Sequence, residues 1–338
     1  MSKIVKTDKY HSLIKKISEK VNSAKQDCLK LIGSIQIYTY WEVGRHIVEY
    51  EQEGNIKAEY GKYLITELAK DLTNIHGKGY SRSNVYNIRQ LYIKYPEKQK
   101  LTDKLLWSHY VELLSISDEL TRNFYEVQCI TEKWSIDEFK RQKKSALFER
   151  LALSKDKEGV LKLSKEGQIV EQPNDIIKNP YILEFVGIPE RFHYDETELE
   201  KRLIDNLQQF LLELGKGFAF VGRQYRITLN NTHFFVDLVF YHIKLKCYVL
   251  IDLKKRKLEN NDIGQMNMYL GYFATEQNNS EDNEPIGIIL SSDKDEILVE
   301  YATYKMSANL FVSKYELYLP NKKELAQKVK DIIDETNV

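Results

Sequence analysis

The chain has few of the residues that define fibrous, disulfide-linked or membrane-spanning proteins. Its 338 residues include only six prolines and fifteen glycines, too few for a collagen-like or low-complexity chain. The three cysteines, Cys28, Cys129 and Cys247, are far apart and form no Cys-x-x-Cys pair, so we expect free thiols rather than disulfides or a zinc site. The sequence shows no apolar run long enough to span a bilayer and no secretory signal in its lysine-rich first residues. These absences predict a cytoplasmic protein that does not enter the membrane.

The chain also has no excess of either charge. Fifty Lys and Arg residues balance fifty Asp and Glu residues, so any attraction to nucleic acid must come from local clusters of basic side chains. Hydrophobic residues make up 42% of the chain and aromatic residues 12%, which indicates packed globular cores. The length favours two domains.

The first half has the apolar spacing of α-helices. A long helix is predicted over 10–50, where apolar residues recur every three or four positions: Leu13, Ile17, Val21, Leu29, Ile32, Ile35 and Ile37. A second helix is predicted over 60–75 and ends at the glycines of His76-Gly77-Lys78-Gly79. Further helices are predicted over 107–114, 118–132 and 135–151.

A short polar helix follows the glycine turn, and its N-cap is Ser81 or Ser83. Its outer face offers Arg82, Asn84, Asn87 and Arg89. Helix, glycine turn and polar helix is the order expected of a helix-turn-helix DNA reader. An ordinary solvated helix in an all-α bundle fits the pattern equally well.

The periodicity is lost over 153–180, which is polar and contains Gly and Pro, so we predict a linker there. The predicted domains are therefore a helical one over 10–152 and a second one over 181–338. In the second, an amphipathic helix over 195–214 precedes strands over 218–229, 234–242 and 247–253, then a helix over 263–275 and a strand over 285–292. This order predicts an α/β (α+β) fold: a helical N-terminal domain, then an αβββαβ core with a mixed sheet.

Charged residues interrupt two of the apolar strands. Asp237 lies within Phe-Val-Asp-Leu-Val-Phe, and Asp252 and Lys254 lie at the end of the next run, Tyr-Val-Leu-Ile-Asp-Leu-Lys. Burying these carboxylates unpaired would be expensive, and a divalent cation between them would compensate both charges. Hard oxygen ligands without nearby His or Cys favour Mg²⁺ or Mn²⁺. A structural ion pair between Lys254 and one carboxylate is the alternative, and it leaves the other acid uncompensated.

Strand alternation directs Asp252 and Lys254 to the same face, where the ammonium could steady the attacking water or the charge on the phosphate. A third carboxylate could come from the helix before the sheet. Glu196 and Glu200 share one helical face, and we favour Glu200 because it heads the apolar stripe. The basic surroundings suit a phosphate backbone, although solubilising surface lysines would explain part of them: Arg223, Arg226, Lys244, Lys246, Lys255, Arg256 and Lys257.

Several longer runs resemble one known family. They are the segments 210–225, 235–242, 251–254 and 264–270 in the second half, and Tyr-Trp-Glu-Val-Gly-Arg (40–45), Tyr-Ser-Arg-Ser-Asn-Val-Tyr (80–86) and Leu-Trp-Ser-His-Tyr (106–110) in the first. They are similar to the YhcG family, which pairs a helical DUF1016-type domain with a nuclease domain of the restriction-endonuclease-like PD-(D/E)XK superfamily. The resemblance covers nearly the whole chain.

The resemblance implies a metal-dependent endonuclease with Asp237, Asp252 and Lys254 at the signature positions. Glu200 falls where many members have a helix carboxylate. Gln265 and Tyr269 fit the QxxxY motif of RecB-like nucleases, whose residues organise the site or contact nucleic acid. One departure is that the family usually has Glu-Leu-Lys where this chain has Asp252-Leu253-Lys254, so metal distance and metal choice could differ.

The sequence therefore predicts a Mg²⁺- or Mn²⁺-dependent DNA nuclease. In it, Asp237, Asp252 and Glu200 hold the metal, Lys254 positions the nucleophile and Gln265 orients the site. Nucleic acid would contact Arg223, Lys255, Arg256, Lys257 and Tyr269, together with Arg82 and Arg89 in the first domain. A dimer is expected because a single-site nuclease that cuts two strands often works as one. The alternatives are cleavage of RNA by the same chemistry and a non-catalytic DNA-binding or assembly module.

Overall fold

The computed structural model describes residues 8–53, 58–153, 155–188, 194–292 and 309–334. The chain forms two compact units, residues 1–140 and 141–338. The first unit is helical and the second is built around a six-stranded sheet. This confirms the predicted fold class.

The helices of the first unit follow the apolar periodicity. They are α1 (Asp8–Glu53), α2 (Ala58–His76), α3 (Arg82–Lys94), α4 (Trp107–Leu114), α5 (Glu119–Glu132) and α6 (Ile136–Lys144), the last of which crosses into the second unit. Ser81 caps α3 by accepting a hydrogen bond from the backbone N–H of Asn84. The glycine stop after α2 is also confirmed, because Gly77 and Gly79 have φ of 80° and 127°, which is unfavourable for other residues.

Helices α1 and α3 cross at close range. A Cβ at Gly44 would lie 2.3 Å from the carbonyl oxygen of Ile88, so only glycine permits this approach. Beside the crossing, the indole N–H of Trp41 donates to the carbonyl of Tyr95 at 2.6 Å. The C-terminal half of α1 is thereby held in the core of the first unit.

The second unit contains helices on both sides of a mixed sheet. Its helices are α7 (Leu147–Ala152), α8 (Lys157–Glu166), α9 (Glu196–Asp205), α10 (Leu207–Leu214), α11 (Asn260–Tyr272) and α12 (Lys322–Asp334). Its strands are β1 (Tyr181–Ile182), β2 (Phe218–Leu229), β3 (Thr232–His242), β4 (Cys247–Lys254), β5 (Ile286–Ser291) and β6 (Leu310–Glu316). The strand order is β1-β6-β5-β4-β3-β2.

The hairpin of β2 and β3 is closed as predicted by a tight turn, in which Asn230 and Asn231 both have positive φ. Strand β4 pairs antiparallel with β3 and parallel with β5. The predicted αβββαβ order is present, and β6 and β1 extend the sheet beyond β5 by parallel pairing.

Two apolar clusters hold the helices to the sheet. One joins α9 and α10 to residues of β3 and β4, and the other joins α11 to residues of β3, β4 and β5. Gly287 permits the second contact, because a Cβ there would lie 2.8 Å from Cγ of Met266 on α11. The depth at which α11 lies against the sheet therefore depends on this glycine.

Three features differ from the sequence prediction. The helix predicted over 195–214 is two helices, because the chain breaks helical geometry at Asn206 (φ −115°, ψ 33°). The helix predicted over 135–151 is likewise broken, because Ala146 has a left-handed backbone (φ 55°). The segment 153–180, predicted to be a linker, contains α8, whose Val160 and Leu163 are buried.

The two compact units divide between residues 140 and 141, and the domain boundary predicted at 152 stays a prediction. Helix α7 belongs to the second unit, because its Arg150 forms a fully buried ion pair with Glu213 of α10. A non-local pair of this kind leaves no mark in the local sequence pattern.

All three cysteines are free thiols, as expected. Cys28 is exposed, whereas Cys129 and Cys247 are buried. Burial raises the pKa of the Cys129 thiol and that of the Cys247 thiol to about 12. Across the described ranges, none of the helices combines the length and apolar character needed to cross a bilayer.

Candidate active site

The two strand carboxylates meet where β3 and β4 separate. The antiparallel ladder ends at the pair Leu238 and Ile251, so Asp237 and Asp252 are the next residue on each strand. The backbone N–H of Leu253 donates to Oδ2 of Asp237 at 2.8 Å. The structure therefore brings together the two acids that interrupted separate apolar runs in the sequence.

Asp252 is buried with little compensation. Its side chain is in an ion pair with Lys254 (Nζ to Oδ2, 2.8 Å), and the same ammonium also acts on the neighbouring Asp237. Burial, followed by the charge of Asp237, raises the pKa of Asp252 to about 7 against the opposing effect of Lys254. The Asp252 carboxylate is thus costly to keep ionised without a further cation.

Lys254 remains a cation at neutral pH. Burial lowers its pKa, but the carboxylates of Asp252 and then Asp237 outweigh burial, so the net shift is upward. The Lys254 side chain is therefore suited to supply positive charge rather than to accept a proton.

Asp237 is linked to the helix carboxylate through a glutamine. The side-chain amide of Gln224 on β2 donates to Oε2 of Glu200 at 2.6 Å and to Oδ1 of Asp237 at 3.0 Å. Burial raises the pKa of Asp237, opposed by the N–H of Leu253. The preference for Glu200 over Glu196 agrees with this geometry, because Glu196 instead accepts the backbone N–H of Lys255.

Gln224 was not singled out by the sequence analysis, and its backbone is unusual. Its φ is 46° in the middle of β2, a left-handed conformation that costs a non-glycine residue on the order of 1–3 kcal/mol. It lies between Arg223, which pairs with Leu238, and Tyr225, which pairs with Val236. Gly222 lies at a register irregularity two residues earlier and is a cue for an irregular strand, but no residue type marks Gln224 itself.

The QxxxY pair of α11 acts inside the protein. Gln265 donates to the hydroxyl of Tyr269, which donates to the carbonyl oxygen of Phe235 at 3.0 Å. Tyr269 is 0% exposed, and burial followed by the charge of Asp252 raises its pKa to about 12. The predicted contact of Tyr269 with nucleic acid is therefore wrong. This side chain holds the β3 backbone two residues before Asp237.

The basic residues near the site differ in their surroundings. Arg223 and Lys257 are exposed, as the prediction of a phosphate-binding surface requires. Arg256 forms hydrogen bonds with both carboxylate oxygens of Asp262 (2.9 and 2.8 Å) at the start of α11. Lys255 donates from its ammonium to the carbonyl of Tyr194. The last two side chains are at least partly engaged in holding the local structure.

The residues predicted to read DNA in the first unit are also mixed. Arg82 is exposed, but Arg89 is in an ion pair with Glu51 on α1 (2.7 Å). The side-chain N–H of Asn84 donates to the carbonyl of Gly79, and its side-chain oxygen accepts the indole N–H of Trp107. Helix α3 therefore uses part of its polar face to join other elements of its own unit, and DNA reading by this helix stays a prediction.

The residues present fit a hard divalent cation at the strand ends. The buried Asp252 and the neighbouring Asp237 offer two hard oxygen ligands, and the Lys254 ammonium compensates the charge of only one of these two acids. No three His, Cys, Asp or Glu side chains of the described residues form a ready-made ligand set. Such a set is not required, because Mg²⁺ commonly keeps several waters and takes only one or two carboxylates.

Comparison with known proteins places both halves of the chain. Residues 16–150 match the DUF1016 N-terminal domain, and residues 174–330 match the YhcG PDDEXK nuclease domain. A relative from Escherichia coli (strain K12), named "Putative nuclease YhcG", is 33% identical over 341 residues, covering 91% of this chain and 90% of the relative.

A solved structure is also similar in part. The crystal structure of a repair endonuclease from Pyrococcus abyssi matches 38% of this chain and 50% of its own chain, with 18% identity and a TM-score of 0.28. At that TM-score the likeness adds no argument about the fold, which is established by the strand order and by the match to the nuclease domain.

Proposed function

The chain belongs to the YhcG family, in which a DUF1016 domain precedes a PDDEXK nuclease domain, and on that premise we propose that it is a metal-dependent endonuclease that hydrolyses DNA. One observation carries the proposal: the buried carboxylates of Asp237 and Asp252 meet at the strand ends, and the Lys254 ammonium beside them balances the charge of one acid but not of both. A purely structural arrangement would compensate both buried acids, because an uncompensated buried charge is costly.

Each site residue has a role that its surroundings support. Asp237 and Asp252 would hold Mg²⁺ or Mn²⁺, and Glu200 would contribute through water. When bound, the metal would polarise the phosphodiester and generate hydroxide from water. The protonated Lys254 would steady the attacking water and the charge that develops on the phosphate. Gln265 would orient the site through Tyr269 and the β3 backbone.

The departure at Asp252 is expected to affect metal choice. Aspartate is one methylene shorter than the family's usual glutamate, so the ligand oxygens lie closer to the β4 backbone. An Asp252→Glu variant should change the ratio of Mn²⁺- to Mg²⁺-supported cleavage rates by several-fold, because Mg²⁺ demands stricter geometry. Parallel titrations of the two metals would measure that ratio, and an unchanged ratio would contradict the expectation.

The helical first unit would bind DNA or a protein partner, and the protein would act in the cytoplasm as a dimer. Restriction, phage defence and processing of mobile elements are the settings that the family suggests. RNA cleavage and a non-catalytic binding module are the competing functions, and both are outcomes of the following test.

The test is incubation of the full chain with supercoiled, linear, branched and single-stranded DNA and with RNA, in Mg²⁺, Mn²⁺ or EDTA. Asp252→Asn and Lys254→Ala variants are compared with Asp205→Asn, which alters an exposed aspartate of α9 outside the site. We expect metal-dependent DNA cleavage by the wild type and Asp205→Asn only.

Cleavage of RNA but not of DNA would show that the substrate is RNA, while the proposed metal-dependent hydrolysis would still hold. Binding in a gel shift without cleavage of any substrate would support the binding module. Cleavage that persists in both site variants would show that the activity comes from elsewhere.

A further inference from the structure

The N-terminal half of α1 presents an apolar seam. Helix α1 is 46 residues long, and its C-terminal half packs in the first unit, as the Gly44 and Trp41 contacts show. Further toward the N-terminus, seven small or apolar residues recur at alternating spacings of three and four, and all seven are exposed: Ile14, Ile17, Val21, Ala24, Cys28, Leu31 and Ile35. We call this set the α1 seam.

The spacing is that of a coiled coil. Positions 14, 21, 28 and 35 form one heptad series and positions 17, 24 and 31 the other, as the a and d positions of three heptads require. Two further exposed apolar residues, Leu13 and Ile32, flank the seam at neighbouring positions of the heptad. At about 1.5 Å per residue the seam is about 33 Å long, and exposed side chains such as Leu31 (62%) and Ile35 (58%) leave it uncovered.

The seam is complementary to itself when reversed. We propose that the α1 seam pairs with the same seam of a second copy of this chain in an antiparallel coiled coil. Centred between residues 22 and 23, this pairing sets Ile14 against Leu31, Ile17 against Cys28, and Val21 against Ala24. Each small side chain then faces a larger one, which fills the layers evenly, and the interface is the symmetric two-fold type.

A parallel pairing is worse in packing and in charge. It would set Ala24 against Ala24 and Cys28 against Cys28, leaving two successive layers of small side chains. It would also bring Lys20 of one copy beside Lys25 of the other across the seam, since these are the facing flank positions of parallel helices. In the antiparallel pairing Lys20 and Lys25 lie on opposite flanks, and Lys25 faces Ser18.

The first test is the oligomeric state of the full chain by sedimentation velocity over a dilution series. We expect a dimer for the wild type, a monomer for Ile17→Glu, and a dimer for the control Ile75→Glu. Ile75 is a 71%-exposed residue of α2 outside the seam. Because Ile17 and Ile75 are exposed, both variants should keep the wild-type circular dichroism. A monomeric wild type, or a dimer that survives Ile17→Glu, would overturn the proposal.

The second test reads the direction of pairing with the native thiol. Cys28 is the exposed one of the three cysteines, and a Cys at position 17 of the same helix would lie about 16 Å from it, too far for a short bis-maleimide. We expect Ile17→Cys to give a covalent dimer, whereas the wild type and the off-seam control Glu19→Cys give little. Efficient cross-linking of the wild type through Cys28 alone would show a parallel pairing and reject the antiparallel one.

Discussion

Glu213 and Asp252 are acids removed from water in the same unit, at 0% and 3% exposure, and their surroundings differ. Glu213 accepts hydrogen bonds from Arg150 and from the backbone N–H of Ile182. Burial would raise its pKa, but Arg150 and then Lys178 outweigh burial and the net shift is downward. Asp252 has Lys254 beside it and an acid, Asp237, as its other neighbour, and its pKa is raised.

The difference separates a carboxylate that stabilises the fold from one that costs it stability. Arg150 itself is fully engaged, because its remaining N–H groups reach the carbonyls of Ser145 and Pro180 and the hydroxyl of Ser145. The charge of Glu213 is already compensated in the folded protein, so a bound cation would bring no further stabilisation there. At Asp252 a cation would remove an energetic penalty, so binding energy and folding energy are coupled at that position.

The largest expected effect is on cleavage. Asp252→Asn should lower the metal-dependent rate by about 10²- to 10³-fold, on the scale that loss of one preorganised electrostatic group costs. Its stability in EDTA at pH 8 should be equal to or above that of the wild type, because the amide carries no buried charge. Single-turnover cleavage measures the rate, and urea denaturation measures the stability. If the variant is less stable than the wild type, Asp252 stabilises the fold as Glu213 does, and the distinction between the two acids is wrong.

The reverse pattern is expected at the structural pair. Arg150→Met should lower the free energy of unfolding by about 3–5 kcal/mol, because it leaves Glu213 buried with most of its compensation removed. The matched control is Lys314→Met, which removes the exposed ion pair to Glu316 (3.7 Å) and should cost no more than about 1 kcal/mol. Urea denaturation monitored by circular dichroism measures the free energy of unfolding of both variants. Equal losses would contradict the distinction between the buried ion pair and the exposed one.

The two acids should also give opposite responses to pH. The folded-state pKa of Asp252 is raised from 3.8 to about 7, so the folded state binds more protons and stability is lost as pH rises through that interval. The pKa of Glu213 lies below 4.5, so its stabilisation is present above 4.5 and is lost as pH falls through the folded-state pKa.

The measurement is the stability of the metal-free wild type relative to each amide variant at several pH values. Relative to Asp252→Asn, the wild type should lose about 3–4 kcal/mol between pH 4 and 7, since one pKa unit corresponds to about 1.4 kcal/mol. Relative to Glu213→Gln, it should gain stability as pH rises through the acid range. Two curves of the same sign would contradict the assignment of the two acids.

The smallest expected effect is at Gln224. Gln224→Met keeps the side-chain length but removes both hydrogen bonds, so Glu200 and Asp237 lose their common donor. Affinity for Mn²⁺ should fall by about 10- to 100-fold, as for other groups that orient metal ligands. Calorimetric titration of the full chain measures this without cleavage. The control is Gln208→Met, which replaces an exposed glutamine on α10 and should leave the affinity unchanged. If Gln224→Met also leaves the Mn²⁺ affinity unchanged, Gln224 does not position the acids.

Local sequence pattern was sufficient where the physics is local. Alternating apolar residues placed Asp237 and Asp252 on neighbouring strands, and glycines marked the end of α2. It was insufficient where a contact joins distant residues, as Arg150 and Glu213 do. It also could not show that Tyr269 points inward, since the same helix pattern fits either direction.

The left-handed backbone of Gln224 bears on how this position can vary among related chains. Glycine or asparagine would suit that backbone better, but glycine has no amide and asparagine is one methylene too short to replace it. The strained backbone of Gln224 is therefore offset only where both acids need a shared hydrogen-bond donor. We expect relatives that keep Glu200 and Asp237 to keep a glutamine at 224, and chains that have lost either acid to drift toward glycine or asparagine there.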